Sequence, residues 1–258
     1  MVVVNFVVTM PIYLAFLAWF IFSGDFALAG TVAIVYGLAA AFLGRTGYYT
    51  YLEAVEKGPV TIVGSITAAY PAIITVLAIV LLGESVTVLQ IFGVAVIVGG
   101  MIGLSFSHGE EGGKPSLPRI SLIFSIATLA LWGVWGVFVK LALEVLPIFY
   151  YLGLYAIVLP PLFLVYARHK KRIGVRIMPK RSIFVLIAVV AALIGQIGLF
   201  ADTAAVSTGE AAIVFPLIAS YPVVMILIAY AFLKERLTRR DMMFVIAVVA
   251  GIVLVSTV

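Results

Sequence analysis

The chain of 258 residues contains no cysteine, which excludes disulfides, thiolate nucleophiles and cysteine metal sites. Charge is scarce: 16 Lys and Arg and 11 Asp and Glu make up 10% of the residues. A soluble domain averages about 25% charged residues. Histidine occurs only at His108 and His169, both in polar stretches, so no histidine ligand falls inside an apolar run. No H-E-x-x-H pair, Gly-rich phosphate loop or ATP-binding domain is present. Nothing in the apolar segments forms a nucleophile–base pair or a metal set. We therefore assign no catalytic residue, metal or cofactor, and an intramembrane enzyme is the weakest reading.

What is present is apolar. Hydrophobic residues make up 65% of the chain and mean hydropathy is +1.28. Runs of about 20 apolar residues recur from end to end, each long enough to cross a bilayer as a helix. A membrane β-barrel would alternate apolar and polar residues, and Phe244 to Val253 does not alternate. The fold class is an all-α polytopic membrane protein, multi-pass in a cell membrane. The net charge of +5 does not call for nucleic acid, because basic residues of membrane proteins gather in cytoplasmic loops. Ala27-Leu28-Ala29 resembles a signal-cleavage site, but no Lys or Arg precedes the long first run, which reads as a retained helix.

The chain repeats itself. Tyr70-Pro71 recurs as Tyr221-Pro222 and Glu84 as Glu235, each pair 151 residues apart. The same offset relates Gly44 to Gly195, Gly47 to Gly198, Gly58 to Gly209, Leu82 to Leu233, Thr87 to Thr238 and Gly100 to Gly251. This register marks an internal duplication. Helices are expected at 3–22, 28–52, 59–82, 88–107, 120–142, 147–167, 183–202, 210–233 and 241–257. The polar segment 108–119 divides a first repeat, 1–107, from a second, 120–258. Helix 120–142 has no counterpart in the first repeat, so the repeats hold about four and five helices, the first lacking its opening helix. Pro160-Pro161 is expected to interrupt helix 147–167.

Basic residues fix the expected orientation. Arg168, Lys170, Lys171, Arg172, Arg176, Lys180 and Arg181 crowd one loop, and Lys234, Arg236, Arg239 and Arg240 another. With Lys57, Lys114 and Arg119 they fall on one side of nine helices, whereas Asp25, Glu84, Glu144 and Glu210 fall on the other. The positive-inside rule then puts the N-terminus in the cytoplasm and the C-terminus outside. This puts Glu84 and Glu235 on opposite faces, as a repeat unit of five helices, being odd, requires: the two repeats are inverted, a transporter architecture with its site near the midplane.

Tyr49 to Pro59, Tyr70-Pro71, Leu82-Gly83-Glu84 and Gly93 to Gly100, followed by Tyr221-Pro222, Lys234 to Leu237 and Gly251, resemble two copies of the EamA domain of the drug/metabolite transporter superfamily. Trp135-Gly136 to Lys140 resembles the opening of a full unit. The resemblance covers essentially the whole chain. It implies a secondary carrier of small metabolites, commonly amino acids, with five plus five helices and alternating access. It also raises Lys140 to a candidate site residue.

Within the helices Arg45 is the sharpest candidate. A charge there costs about 2.5–3.5 kcal/mol on insertion scales and needs a cavity or a partner. It is a counter-charge for a substrate carboxylate or one half of a structural pair, for instance with Glu53. Its repeat mate is Gln196. Asp202 is expected to end helix 183–202 and meet headgroup water. Trp132 and Trp135 stack on a substrate or pack; Tyr48, Tyr49, Tyr70 and Tyr221 bring hydroxyls that need partners. Pro71 and Pro222 free backbone carbonyls and are candidate hinges. Gly99 and Gly103, with Ala247 and Gly251, are small-residue packing faces, within a monomer or between two copies in a homodimer. The substrate-binding set is thus Arg45, Tyr48, Tyr49, Tyr70, Trp132, Trp135, Lys140, Gln196 and Tyr221. The leading reading is a secondary transporter of an amino acid or other carboxylate-bearing solute. Its partners are that small molecule and membrane lipid, with no nucleic acid. The alternative is a non-transporting membrane component, or a protein that binds or flips lipid.

Overall fold

The computed structural model describes residues 2–23, 30–107, 118–172, 182–220, 223 and 238–256. All regular elements among them are helical: α1 (Val2–Phe22), α2 (Thr31–Lys57), α3 (Val60–Thr67), α4 (Tyr70–Leu77) with a π turn (Ala78–Leu82), α5 (Val88–Ser107), α6 (Arg119–Leu143), α7 (Ile148–Gly153), α8 (Tyr155–Arg172), α9 (Ser182–Thr208), α10 (Ala211–Ala219) and α11 (Arg239–Ser256). Among the described residues four stretches are long and apolar enough to cross a membrane: Val2–Phe22, Arg119–Leu143, Ile148–Lys171 and Val185–Thr208. Shorter apolar helices cover Tyr70–Leu82, Val88–Gly103 and Met242–Ser256. The apolar faces they leave open, with Ile197 72% and Val80 70% exposed, suit lipid and not water. The chain is an all-α polytopic membrane protein.

Residue contacts divide the chain into two compact units. One comprises Met1–Thr46 and Phe138–Thr208, the other Gly47–Val137 and Gly209–Val258. Each unit therefore draws on both repeats. In the first, α1 packs on α7, α8 and α9. Gly153 makes this approach possible, because a Cβ there would lie 2.7 Å from the backbone nitrogen of Leu17. Phe20 stacks on Tyr150 at 4.4 Å and Phe6 on Phe163 at 4.2 Å.

The second unit is built on the pairing of α5 with its own duplicate, α11. A Cβ at Gly251 would lie 2.8 Å from the carbonyl oxygen of Gly93, and one at Gly93 would meet Val255 at 2.7 Å. Gly100 and Gly103 make room for Val248 and Phe244. Gly99 has nothing within 4 Å, so the small-residue face that joins α5 to α11 within this unit runs through Gly93, Gly100 and Gly103, and Gly99 stands off it.

Several helix boundaries depart from expectation. Helix 147–167 breaks at Leu154 and not at the prolines. Pro160 and Pro161 lie inside α8, as membrane helices tolerate where neighbours satisfy the freed carbonyls. The break falls next to Gly153, where α7 turns to meet the α1 backbone. Helix 59–82 breaks at Ala68 and Ala69, so Pro71 sits in the first turn of α4. A proline there loses no intrahelical hydrogen bond, because its missing N–H would be unpaired anyway. It starts a helix where a kink was expected. α2 runs on to Lys57, drawn out by the Glu53–Lys57 ion pair one turn apart. α9 runs on to Thr208, and within it Thr203, Ser207 and Thr208 donate to the carbonyls of Leu199 and Ala204. Asp202 is consequently an interior residue of α9. Tyr221, Pro222, Lys234, Glu235 and Arg236, the segment 108–117 and the basic residues Arg176, Lys180 and Arg181 lie outside the described residues.

Candidate functional site

The first unit gathers polar side chains from four helices around one tyrosine. Tyr13 of α1 is 1% exposed, and its ring lies 5.4 Å from that of Tyr155 on α8. Its hydroxyl faces Gln196 of α9 and lies in the field of the Arg45 guanidinium from α2 and of Tyr155. The Gln196 contact falls short of full hydrogen-bond geometry, and among the described residues the Tyr13 hydroxyl has no hydrogen-bond partner. Tyr155 also shares a 3.0 Å hydrogen bond with Tyr151, one turn back. Arg45 and Gln196, 151 residues apart and each half-buried, thus both act on the same hydroxyl from duplicated helices, Arg45 through its charge. The arrangement provides one cation, one amide and three phenols, all able to hydrogen-bond an anion or a polar group.

Tyr13, Tyr151 and Tyr155 were not among the sequence candidates. None has a tyrosine at the repeat offset, so the duplication carries no sign of them. The available signal was periodicity: Asn5, Thr9 and Tyr13 recur every fourth residue in an otherwise apolar helix. Thr9 is 0% exposed, and its hydroxyl too has no partner among the described residues. Lys140 stands apart from this cluster. Its ammonium donates to the Val206 carbonyl at 3.4 Å, about 15 Å along α9 from Gln196 at 1.5 Å per residue.

The other candidates belong to the second unit. Tyr70 and Tyr51 flank Trp132, each with its ring 5.6 Å away, and Trp132 lies over Gly47. Tyr48 and Tyr49 have ring centroids 6.0 Å apart. Trp135 meets Phe215 edge-on at 5.3 Å, and its buried indole N–H has no partner among the described residues. The glycine of the Trp135-Gly136 motif is a packing device: with Gly133 it lets α6 close onto Ile73 and Ile74 of α4. Glu53, 5% exposed, is paired with Lys57, whose ammonium also sits 5.5 Å over the Phe124 ring.

The Gly83-Glu84 pair, whose glutamate recurs as Glu235, has a structural account. Gly83 has φ +70° and ends the π turn, a left-handed cap that glycine adopts without strain. Beyond it, Glu84 accepts hydrogen bonds from the Ala211 and Ala212 N–H groups, both 2.8 Å, at the start of α10. A carboxylate there satisfies two unpaired donors and meets the positive end of the helix dipole. Further along, Pro216 deprives the Ala212 carbonyl of its intrahelical donor. The Thr75 hydroxyl of α4 supplies one instead, at 2.9 Å. Among the described residues no three His, Asp or Glu side chains gather as a metal site; the first unit's cluster offers hydrogen bonding and charge.

The sequence profile of the EamA-like transporter family matches residues 1–106 and 119–257. No curated protein matches the chain. A solved structure titled only as a crystal structure of a protein shares the fold, with a TM-score of 0.72. It is 17% identical over 98% of this chain and 86% of its own, a likeness of fold alone.

Proposed function

The chain belongs to the EamA-like transporter family, membrane transporters of the drug/metabolite transporter superfamily and not enzymes, and from that premise we propose that it carries a small carboxylate-bearing metabolite by alternating access. The observation that carries this reading is the grouping of the Tyr13, Tyr151 and Tyr155 phenols in the first unit, with Gln196 facing Tyr13 and the Arg45 charge acting on it. A guanidinium within a membrane-spanning protein is costly unless it meets an anion or a water-filled cavity. Here it lies beside an amide and phenols that supply further hydrogen bonds to a carboxylate. An organic cation would be repelled. The breaks at Ala68–Ala69 and Leu154 interrupt helices of each unit, and interrupted helices are where transporter backbones bend. Lys140 in the first unit and Trp132, Trp135, Tyr48, Tyr49 and Tyr70 in the second remain candidate substrate contacts, in a cell membrane.

The test is solute counterflow in proteoliposomes with labelled amino acids and organic acids, run in parallel for the native chain and Arg45→Gln. The expected result is exchange of an acid that Arg45→Gln weakens at least tenfold. Exchange that Arg45→Gln leaves unchanged would demote Arg45 to a structural residue. No exchange by folded protein would sink the carrier reading for these solutes.

A further inference from the structure

The offset of 151 residues relates α2 to α9, and one face of α2 is occupied. Trp132 of α6 lies over Gly47, where a Cβ would meet its indole at 2.5 Å. On the same face the Tyr51 ring is 5.6 Å from Trp132, the Thr50 and Thr128 hydroxyls share a 2.9 Å hydrogen bond, and Ser121 donates to the Ala54 carbonyl at 2.9 Å. Rising numbers on α2 meet falling numbers on α6, so the two helices are antiparallel there.

The offset carries Gly47, Thr50, Tyr51 and Ala54 to Gly198, Ala201, Asp202 and Ala205, which share one face of α9 by their spacing. Gly47 and Ala54 are buried, whereas Gly198, Ala201 and Ala205 are exposed. Cβ atoms at Gly195 and Gly198 would meet nothing within 4 Å, and the α9 span is the least buried of the four long ones. The helix that covers this face in the duplicate is α6, and residues 120–142 have no mate at the offset. Lipid does not account for the face. Other exposed residues of α9, such as Leu186 and Ile197, are large, whereas small residues in a row let a second helix approach closely. Asp202 stands among them as the one acid in the four long spans. Its carboxylate has no hydrogen bond or ion pair among the described residues, and hydrocarbon supplies no donor.

We infer that this face of α9 seats a partner's membrane-spanning helix, antiparallel to α9, with a tryptophan over Gly198 whose indole N–H is donated to Asp202. A second copy of the chain does not supply it. Its α6 is already seated on Gly47 and, through Gly133 and Gly136, on Ile73 and Ile74, and pairing two α9 faces would set two Asp202 carboxylates together without a donor. The inference concerns assembly and stands apart from the choice of solute.

The chain has no cysteine, so Thr208→Cys, at the exposed end of α9, accepts a single fluorophore. The probe is a synthetic peptide of residues 119–143, the α6 sequence itself, labelled at one end or the other and added to the full chain in phosphatidylcholine vesicles. Saturable energy transfer should come from the N-terminal label, which the antiparallel register brings to residue 208, and little from the C-terminal label, about 37 Å away at 1.5 Å per residue. Gly198→Leu in the chain, or Trp132→Ala in the peptide, should weaken binding about tenfold, whereas Leu193→Ala, on another face of α9, should leave it unchanged. Asp202→Leu should weaken binding of the native peptide and not of the Trp132→Ala peptide; weakening of both alike would overturn the indole–Asp202 pairing. No saturable transfer, or transfer indifferent to Gly198→Leu, would overturn the inference. Energy transfer between labelled copies of the chain alone, lost in Gly198→Leu, would also overturn it and make the face a dimer contact. Size-exclusion profiles matching the native chain's would show that the variants fold.

Discussion

The two compact units treat several of their buried polar groups differently, although the second also holds the Trp135 indole N–H without a partner among the described residues. Around α4, α5, α10 and α11, irregularities are matched: Thr75 answers the carbonyl that Pro216 leaves open, Glu84 answers two N–H groups of α10, and glycines bring α5 and α11 into backbone contact. Around α1, α8 and α9, the buried Thr9 and Tyr13 hydroxyls have no hydrogen-bond partner among the described residues, and Tyr13 lies in the field of Arg45. Unmatched buried groups destabilise, by about 1–3 kcal/mol each. The second unit answers its helix irregularities with side chains of its own, and the first leaves the Thr9 and Tyr13 hydroxyls unanswered among the described residues.

Substitutions should separate the two by stability. The largest loss is expected for Gly251→Val, whose side chain would meet the Gly93 carbonyl and the Ile97 backbone. Forcing α5 and α11 apart should cost about 3 kcal/mol, read as a fall in the thermal midpoint of purified protein. Gly99→Ala, in open space, serves as the control and should be neutral or gain up to about 1 kcal/mol from helix propensity. Next comes Glu84→Ala, which leaves the start of α10 without its acceptor; about 2 kcal/mol is expected. Thr75→Val should cost about 1 kcal/mol by orphaning the Ala212 carbonyl. Pro216→Ala restores that carbonyl's N–H donor, so the double variant should recover most of the loss, a non-additivity that a mutant cycle measures. If Thr75→Val were equally harmful with and without Pro216, the pairing of threonine with proline would be wrong.

Much of this was legible in the chain. Helix 88–107 appears as α5 with the same bounds, and the apolar runs at 3–22 and 120–142 are the cores of α1 and α6. The offset of 151 residues drew attention to Arg45 and Gln196 together. What was not legible depended on distant partners. Glu84 stood out as a repeated motif, but its acceptor role rests on N–H groups 127 and 128 residues away. Pro216 drew no notice, because the Thr75 hydroxyl that compensates it lies 137 residues from Ala212. Tyr13 and Tyr155 have no duplicated mates, so an argument from repetition passed over them. Pro160-Pro161 misled because proline's cost depends on whether neighbours satisfy the freed carbonyls, and sequence does not say which neighbours those are.

The smallest effect is the most telling. Tyr13→Phe and Thr75→Val each delete one buried hydroxyl. Their thermal midpoints, measured side by side in the same detergent without solute, test the contrast between the units directly. Thr75→Val should lower the midpoint, whereas Tyr13→Phe should leave it unchanged or raise it, because its hydroxyl makes no hydrogen bond among the described residues. Equal destabilisation by both would mean that Tyr13 is as much a part of the scaffold as Thr75, and the first unit would lose its claim to a site held open for a ligand.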